Sequence, residues 1–240
     1  MTKIISCSVF RRYAIKTASK TNFLVCSDPV ALDGQAFHDE FVKRVKATGG
    51  KIYSTNCNLS TDSLKADAII SQAISSGANA LLLHPHIDRI DKAIYFAKAA
   101  SKKQLAIFGT PTLYTYETLE KGKNDINSMI LSTPWHSKAF SGSPFSQSAQ
   151  KLWAGVVSWR TATAYDATMS IILGLQQSKT QARSELQGVL HDQNFSVNGA
   201  TGKIQFLSSG DRRDNTIFLV RVQPKSGTNK GSEFVLVDSK

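Results

Sequence analysis

Short apolar runs alternate with amphipathic segments through residues 21–133 of the chain. The runs at residues 78–84 and 104–109 are almost continuously apolar, as expected of strands that are buried on both faces of a sheet. The segments between the runs place apolar side chains at helical spacing on one face and charges on the other. The pattern predicts strands at residues 22–26, 51–57, 78–84, 104–109 and 127–132, and helices at residues 33–48, 62–76, 88–100 and 116–120.

Strands that alternate with helices at this spacing favour right-handed βαβ crossovers and a parallel sheet that is covered on both faces. The sequence therefore predicts an α/β fold with a doubly wound lobe at residues 21–133. The pattern changes at Pro134, and the serine-rich residues 137–148 predict a loop. Beyond the loop we expect a long helix at 150–177, a short helix at 181–190 and a meander with strands at 202–206, 216–222 and 233–237.

The basic character of the chain does not identify a partner. The formal net charge is +11, from 29 Lys and Arg against 18 Asp and Glu. A basic field of this kind attracts nucleic acids and anionic membranes. The basic residues are scattered along the chain and are not interleaved with aromatic side chains, as they are on a surface that stacks bases. We therefore predict no nucleic-acid partner, and no apolar stretch has the length of a transmembrane helix.

The three cysteines are sparse. Cys7, Cys26 and Cys57 form no CxxC pair and have no histidine at ligand spacing. An odd and sparse set argues against a disulfide framework. Cys26 lies within an apolar run, so we expect it to behave as a small buried apolar side chain.

The short motifs of common catalytic and cofactor sites are absent from the sequence. There is no GxSxG nucleophile elbow, no phosphate-binding loop and no GxGxxG fingerprint. His84 and His86, two residues apart at the end of a strand, could hold a metal together with a third ligand. No carboxylate or cysteine at a recognised spacing completes such a site. We therefore predict no catalytic residue, no cofactor and no metal.

One positional rule indicates where a ligand would bind. In open parallel sheets, ligands bind beyond the carboxyl ends of the strands. The residues that follow the predicted strands supply hydroxyls, imidazoles, a carboxylate and an indole, which suit a small polar molecule. The predicted ligand-binding residues are Ser27, Asp28, His84, His86, Thr110, Thr112, Tyr114 and Trp135.

Two segments carry a resemblance to a known family. Residues 159–168 (WRTATAYDAT) resemble the long helix of branched-chain-amino-acid-type ABC transporter substrate-binding proteins, which are type I periplasmic binding proteins. Residues 195–212 (FSVNGATGKIQFLSSGDR) are similar to the segment of the same family that leads into its last strands. The run Pro134–Trp135–His136 resembles the crossover of the cyanobacterial-type branch. The resemblance extends over nearly the whole chain from Thr21 onward.

The resemblance implies two α/β lobes that close on a small polar ligand. On that template the chain has one complete doubly wound parallel-sheet lobe and an incomplete second one. Residues 1–20 would be an interlobe connector and residues 21–133 the ligand-binding second lobe of the family. Residues 134–211 would be the remnant of the first lobe, and residues 212–240 would supply strands that rejoin the second lobe.

The chain departs from the family pattern in two respects. The opening half-lobe of the family has no counterpart, so the chain resembles a member that is truncated at its N-terminus. Without the opening half-lobe, apolar side chains of the long helix would be exposed, with Trp153, Val157 and Met169 as the expected examples. Thr110 replaces the acidic residue that amino-acid binders often carry after the fourth strand, and residues 28–34 lack their usual tyrosine. An amino-acid ligand is therefore not assured.

The resemblance implies a non-catalytic solute-binding protein of an ABC-type uptake system for amino acids or small polar solutes. Its expected partners are the solute and a membrane permease, and a homodimer could form through the incomplete lobe. The alternative is a ligand-sensing regulatory domain of the same fold that is coupled to a signalling protein. The family is periplasmic or extracytoplasmic. Residues 1–10 are too short an apolar segment for a secretory signal, so the chain would be cytoplasmic if it were the whole product.

Overall fold

The computed structural model of the chain describes residues 13–30, 34–53, 57–62, 65–154, 157–214, 216–226 and 231–237. These residues divide into two compact units. The larger unit contains the described residues up to Thr133 and those from Phe218 onward, and the smaller unit contains Pro134–Ile217. Most of the predicted connector lies outside the described residues, although a π-helical turn occupies Tyr13–Thr17. The assignment of the two units to particular lobes of the family stays a prediction.

The central sheet of the larger unit is mostly parallel. The strands of the described chain are β1 (Asn22–Ser27), β2 (Lys51–Tyr53), β3 (Ala80–His84), β4 (Ala106–Gly109), β5 (Ile130–Thr133), β6 (Val197–Gly199), β7 (Gly202–Ile204), β8 (Phe218–Pro224) and β9 (Ser232–Leu236). Seven of these described strands form one sheet in the order β2-β1-β3-β4-β5-β8-β9. The first five run parallel, whereas β8 and β9 are antiparallel to their neighbours. The predicted α/β fold is confirmed.

Helices cover both faces of this sheet. The helices of the described chain are α1 (Gly34–Lys46), α2 (Ala66–Ser75), α3 (Ile90–Lys102), α4 (Tyr116–Gly122), α5 (Pro144–Trp153), α6 (Trp159–Gln177) and α7 (Arg183–His191). On α1, Phe41 meets Phe23 of β1 edge to face, with ring centroids 5.2 Å apart. Helix α3 contacts β3 and β4 and lies between α2 and α4. All five residues of β3 are buried, which requires cover on both faces.

The start of α2 differs from the prediction. The helix was predicted to begin at residue 62, but α2 begins at Ala66 and its capping position, Lys65, makes no side-chain cap. The Asp62 carboxylate instead accepts a hydrogen bond from the Lys92 ammonium on α3, which lowers the pKa of Asp62. The carboxylate bonded to α3 is not available to the first turn of α2. Leu64, expected on the buried face of this helix, lies outside the described residues.

The smaller unit contains two helices where the sequence predicted one. Residues 150–177 were expected to be continuous, but α5 ends at Trp153 and α6 begins at Trp159. Ala154 ends α5 in a left-handed conformation with φ of 46°, which an α-helix cannot continue. The predicted loop at 137–148 also contains the first turn of α5, where the Ser143 hydroxyl accepts a hydrogen bond from the Ser146 amide.

The hairpin of the smaller unit is tied to α6 by one carboxylate. Strands β6 and β7 pair antiparallel in a separate sheet, so the strand predicted at 202–206 is not part of the tail meander. Buried Asp166 accepts hydrogen bonds from the backbone amides of Ala200 and Thr201 in the hairpin turn. It also forms an ion pair with Arg212, with 3.4 Å between Oδ2 and Nη1. This carboxylate therefore joins α6 to the hairpin and to the chain beyond it.

Helix α6 presents an apolar face to solvent in the described chain. Trp153 is 55% exposed, as expected, but Val157 and Met169 are half-buried. The large apolar side chains of α6 that are exposed are Tyr165, Ile171, Ile172 and Leu175. They alternate with a buried line of small and polar residues, which the sequence pattern did not separate from them. None of the described helices has the length and apolar composition to cross a membrane.

A disulfide joins β1 to the segment after β2. The sequence argued against a disulfide framework, but the structure pairs Cys26 with Cys57, whose Cα atoms are 4.7 Å apart. Cys26 is fully buried, as expected, and Cys57 is 7% exposed. The pairing agrees with the parallel bridge between Ser27 and Asn58, which places the preceding residues, Cys26 and Cys57, side by side. Spacing along the sequence does not reveal such a neighbour, and the prediction was wrong.

Replacing both Cys26 and Cys57 by Ala is expected to lower the free energy of unfolding by about 3 kcal/mol, because the cross-link restricts the unfolded chain over a loop of this length. Urea denaturation under oxidising conditions measures the change. Dithiothreitol should lower the stability of the unmodified chain to a similar value and leave the double variant unchanged. Equal stability in all four samples would contradict the disulfide.

Tyr114 ties the start of α4 to the C-terminal strand β9. Its ring lies 4.4 Å from that of Phe234, centroid to centroid, and the residue is 5% exposed. Burial raises the pKa of Tyr114 to about 12, because the phenolate would lose its hydration. In the unfolded chain a tyrosine loses its proton near pH 10. Since the unfolded state ionises first, the neutral ring stabilises the folded state below pH 10, and this contribution falls as the pH rises toward 12.

Between about pH 10 and 12 the free energy of unfolding is therefore expected to fall by about 2 kcal/mol less in Tyr114→Phe than in the unmodified chain. Urea denaturation across this pH range measures the slope, and an ultraviolet titration shows whether one late tyrosine ionisation disappears. Tyr116→Phe is the matched control, because Tyr116 is 76% exposed. The same alkaline slope in the Tyr114 variant and the unmodified chain would contradict the effect of burial.

Candidate functional site

The carboxyl ends of β1, β3 and β4 lie side by side in the larger unit. Ser27 ends β1 and is in register with His84 of β3. Beyond the strands, the Asp28 amide donates to the His84 carbonyl over 3.1 Å, and the Thr110 amide donates to the Leu83 carbonyl over 3.1 Å. The backbone thus fixes four of the predicted ligand-binding residues, Ser27, Asp28, His84 and Thr110, in one row. We call this row the ligand wall.

The imidazole of His84 is held from two sides. Its ring stacks on Phe37 of α1 with centroids 4.3 Å apart, and Nδ1 lies 3.0 Å from the Thr110 hydroxyl oxygen. His84 and Thr110 are 5% and 1% exposed. The aromatic contact and the hydrogen bond therefore leave the ring little freedom to rotate. The pair joins the ends of β3 and β4 and gives the ligand wall a rigid centre.

Asp28 supplies the negative charge of the wall. It is 3% exposed, and its Oδ1 accepts a hydrogen bond from the Val30 amide over 3.0 Å. This bond closes the turn that leaves β1, as short acidic side chains commonly do. Ser27 is half-buried and keeps part of its surface accessible. The wall therefore has a fixed carboxylate beside an accessible hydroxyl.

The sequence did not identify one part of this edge. Residues 57–60 return beside β1, where the Leu59 amide donates to the Ser27 carbonyl over 2.9 Å. The Asn58 carboxamide oxygen accepts hydrogen bonds from the amide and the hydroxyl of Ser60. Both polar residues are half-buried. The positional rule was applied to the ends of the other parallel strands but not to that of the second, although the polar Asn-x-Ser sequence after Cys57 was available as a signal.

Three predicted residues lie at the margin of the wall. His86 is exposed, and its Nδ1 hydrogen-bonds to the Asp88 carboxylate, which lowers the pKa of Asp88. Thr112 is half-buried in the 3-10 turn Pro111–Leu113 that follows β4. Tyr114 is buried against Phe234, as described above. Their roles as ligand contacts stay predictions.

Trp135 lies in the smaller unit, whereas the residues of the wall belong to the larger unit. It is 1% exposed, and its indole NH donates to the Ala200 carbonyl over 3.1 Å. Its ring meets Phe145 of α5 nearly edge to face, with centroids 5.8 Å apart. These contacts give Trp135 a packing role in that unit. Its role as a ligand contact stays a prediction.

The two histidines of the possible metal site have separate partners. His84 is bonded to Thr110 inside the wall, whereas the exposed His86 is bonded to Asp88. Across the residues that the structure describes, no three histidine, cysteine or acidic side chains are grouped so that they could hold a metal ion.

The fold matches solved structures of solute-binding proteins. A leucine-binding protein from Thermotoga maritima is 19% identical with a TM-score of 0.82, and the match covers 99% of this chain and 66% of that one. An ABC transporter solute-binding protein from Rhodopseudomonas palustris BisB5, solved with 3,4-dihydroxybenzoic acid, is 12% identical with a TM-score of 0.74 over 98% and 64%. A substrate-binding protein from Desulfitobacterium hafniense, solved with leucine, is 12% identical with a TM-score of 0.67 over 98% and 65%.

The chain thus spans slightly less than two thirds of the length of these structures. No curated protein sequence matches it. A model of the periplasmic binding protein family matches residues 3–230, which is nearly the whole chain. The chain therefore belongs to the periplasmic binding protein family, with the type I fold of the branched-chain amino-acid ABC transporter binding proteins.

Proposed function

We propose that this chain binds a small polar solute without chemical turnover, as part of the substrate-binding component of an ABC-type uptake system. The observation that carries the proposal is the ligand wall, in which backbone hydrogen bonds fix polar side chains at the carboxyl edge of a parallel sheet. Solved proteins of the same fold bind leucine or a hydroxylated benzoic acid, which supports a small carboxylic acid as the solute. An amino acid is one member of that class.

The exposure of each residue suggests its role. Ser27 and Thr112 are half-buried, so their hydroxyls are the expected direct contacts. Asp28 and His84 are almost completely buried, and Thr110 supports the imidazole from behind. A buried carboxylate behind a hydroxyl favours a ligand group that donates hydrogen bonds, such as an ammonium or a phenol. The wall would therefore bind the donor end of the solute.

The same contacts argue against catalysis at the wall. His84 and Thr110 form a base and hydroxyl pair, which is the arrangement that activates a nucleophile. The Thr110 hydroxyl, however, belongs to a residue that is 1% exposed, so no substrate carbonyl can approach it in this structure. The pair therefore acts as a structural link between strands. The alternative role as a sensing domain would use the same wall and would differ in the protein that responds to the bound solute.

A panel of amino acids and small aromatic acids should contain a solute that raises the melting temperature of the chain. At a concentration of about 100 times the dissociation constant the stabilisation is about 3 kcal/mol, because the solute binds only the folded state. For a chain of this size that corresponds to a shift of about 5 to 10 °C. Differential scanning fluorimetry measures the shift. No shift with any solute of the panel, or the formation of a product from a bound one, would contradict the proposal.

Ser27→Ala is expected to weaken binding of the solute that the panel identifies by about fivefold, since one hydrogen bond contributes about 1 kcal/mol. Isothermal titration calorimetry measures the dissociation constant. Ser76→Ala is the matched control, because this exposed hydroxyl follows α2 near the amino edge of the sheet and away from the wall. Equal affinities of the two variants would show that Ser27 does not contact the solute.

A further inference from the structure

The Cys26–Cys57 disulfide lies directly behind the ligand wall. Cys26 is the residue before Ser27, and Cys57 is the residue before Asn58. Both cysteines are buried, with 0% and 7% exposure. The cross-link is therefore one residue away from the accessible polar groups on each of two neighbouring segments.

Few backbone contacts hold residues 57–60 to the end of β1. The Ser27 amide donates to the Cys57 carbonyl over 3.2 Å, and the Leu59 amide donates to the Ser27 carbonyl over 2.9 Å. Asn58 forms an isolated parallel bridge with Ser27 and is not part of β2, which ends at Tyr53. The two hydrogen bonds together form this one bridge, which is a short ladder for a segment outside a regular strand. The covalent link is the strong restraint at this place.

The other end of the segment is anchored to α3. The Lys92 ammonium donates to the Thr61 carbonyl over 2.9 Å and also to the Asp62 carboxylate. Between this anchor and the disulfide, Leu59 is fully buried. The side chains that remain accessible are those of Asn58 and Ser60, which are hydrogen-bonded to each other. The segment therefore presents a preformed amide and hydroxyl pair next to Ser27.

We propose that the Cys26–Cys57 disulfide positions residues 57–60, so that Asn58 and Ser60 extend the ligand wall, and that solute affinity depends on the oxidised pair. This inference rests on the solute-binding function proposed above. The added groups are a carboxamide and a hydroxyl, both neutral, so they recognise a polar part of the solute and not its net charge. Asn58 and Ser60 contact the solute, and the cysteines affect its binding only by holding these two residues in place.

Reduction by a dithiol supplies the chemistry for the test. The dithiol transfers two electrons and two protons and becomes its own disulfide, while the bond between the Cys26 and Cys57 sulfurs breaks and both become thiols. Two thiols cannot remain at bonding distance, and both lie in a close-packed environment. Their separation would therefore shift the backbone that carries Ser27 and Asn58.

Hydrogen exchange tests the positioning without any ligand. Cys7, which lies outside the described residues, is replaced by Ser so that Cys26 and Cys57 are the remaining cysteines, and the chain is compared before and after reduction. We expect at least tenfold faster exchange of the Ser27 and Leu59 amides after reduction. Val220→Ala in the same background is the control for general destabilisation, since Val220 is a fully buried residue of β8. Equal acceleration in this oxidised control, or no change on reduction, would overturn the inference.

Binding gives the second measurement, with leucine and 4-hydroxybenzoate as the probes. We expect Cys26→Ala/Cys57→Ala and Asn58→Ala each to weaken a bound probe by at least fivefold, while the Val220→Ala control binds normally below its melting temperature. Equal affinity in all forms would overturn the role in binding. If neither probe binds any form, the solute class proposed above fails for these acids, and hydrogen exchange alone decides whether the disulfide positions residues 57–60.

Discussion

Burial of β3 on both faces is the constraint on which the larger unit depends. A strand with no exposed residue can satisfy its backbone groups only by pairing on both sides, and β3 pairs with β1 and β4. Pairing with both neighbours fixes the register of this strand. The register in turn places Ser27 opposite His84, and the pairing of β3 with β4 brings Thr110 next to His84 on the other side. The position of the ligand wall is therefore a consequence of how the core packs.

The parts of the fold that follow a regular hydrophobic period could be predicted from the sequence. The order of strands and helices in residues 21–133 and the carboxyl-edge location of Ser27, Asp28, His84 and Thr110 are of this kind. The break between α5 and α6 is not, because a left-handed conformation at Ala154 replaces the glycine that usually marks a helix end. Helix α2 also starts later than predicted, because the Asp62 carboxylate bonds to Lys92 and not to the first turn of the helix. A carboxylate serves equally well as a cap or in an ion pair, and only the position of Lys92 decides between them.

The disulfide shows a different limit of prediction. Whether two cysteines meet depends on how the segments that carry them pair, and that pairing depends on the whole sheet. Knowing how these segments pair would also have placed Asn58 and Ser60 next to Ser27. A disulfide of this kind persists in oxidising compartments and is rare in the cytosol. The periplasm, which gives the family its name, is a compartment of this oxidising kind.

The pairing of β5 with β8 has a consequence for biosynthesis. Thr133 ends β5 and lies opposite Phe218, so the chain leaves the sheet for more than 80 residues before the neighbouring strand is made. During translation the edge of β5 has no partner until β8 leaves the ribosome. An unpaired apolar edge is a template for aggregation. Nascent chains that stop before Phe218 should therefore depend on chaperones. The free edge of β5 is covered only when β8 has been synthesised.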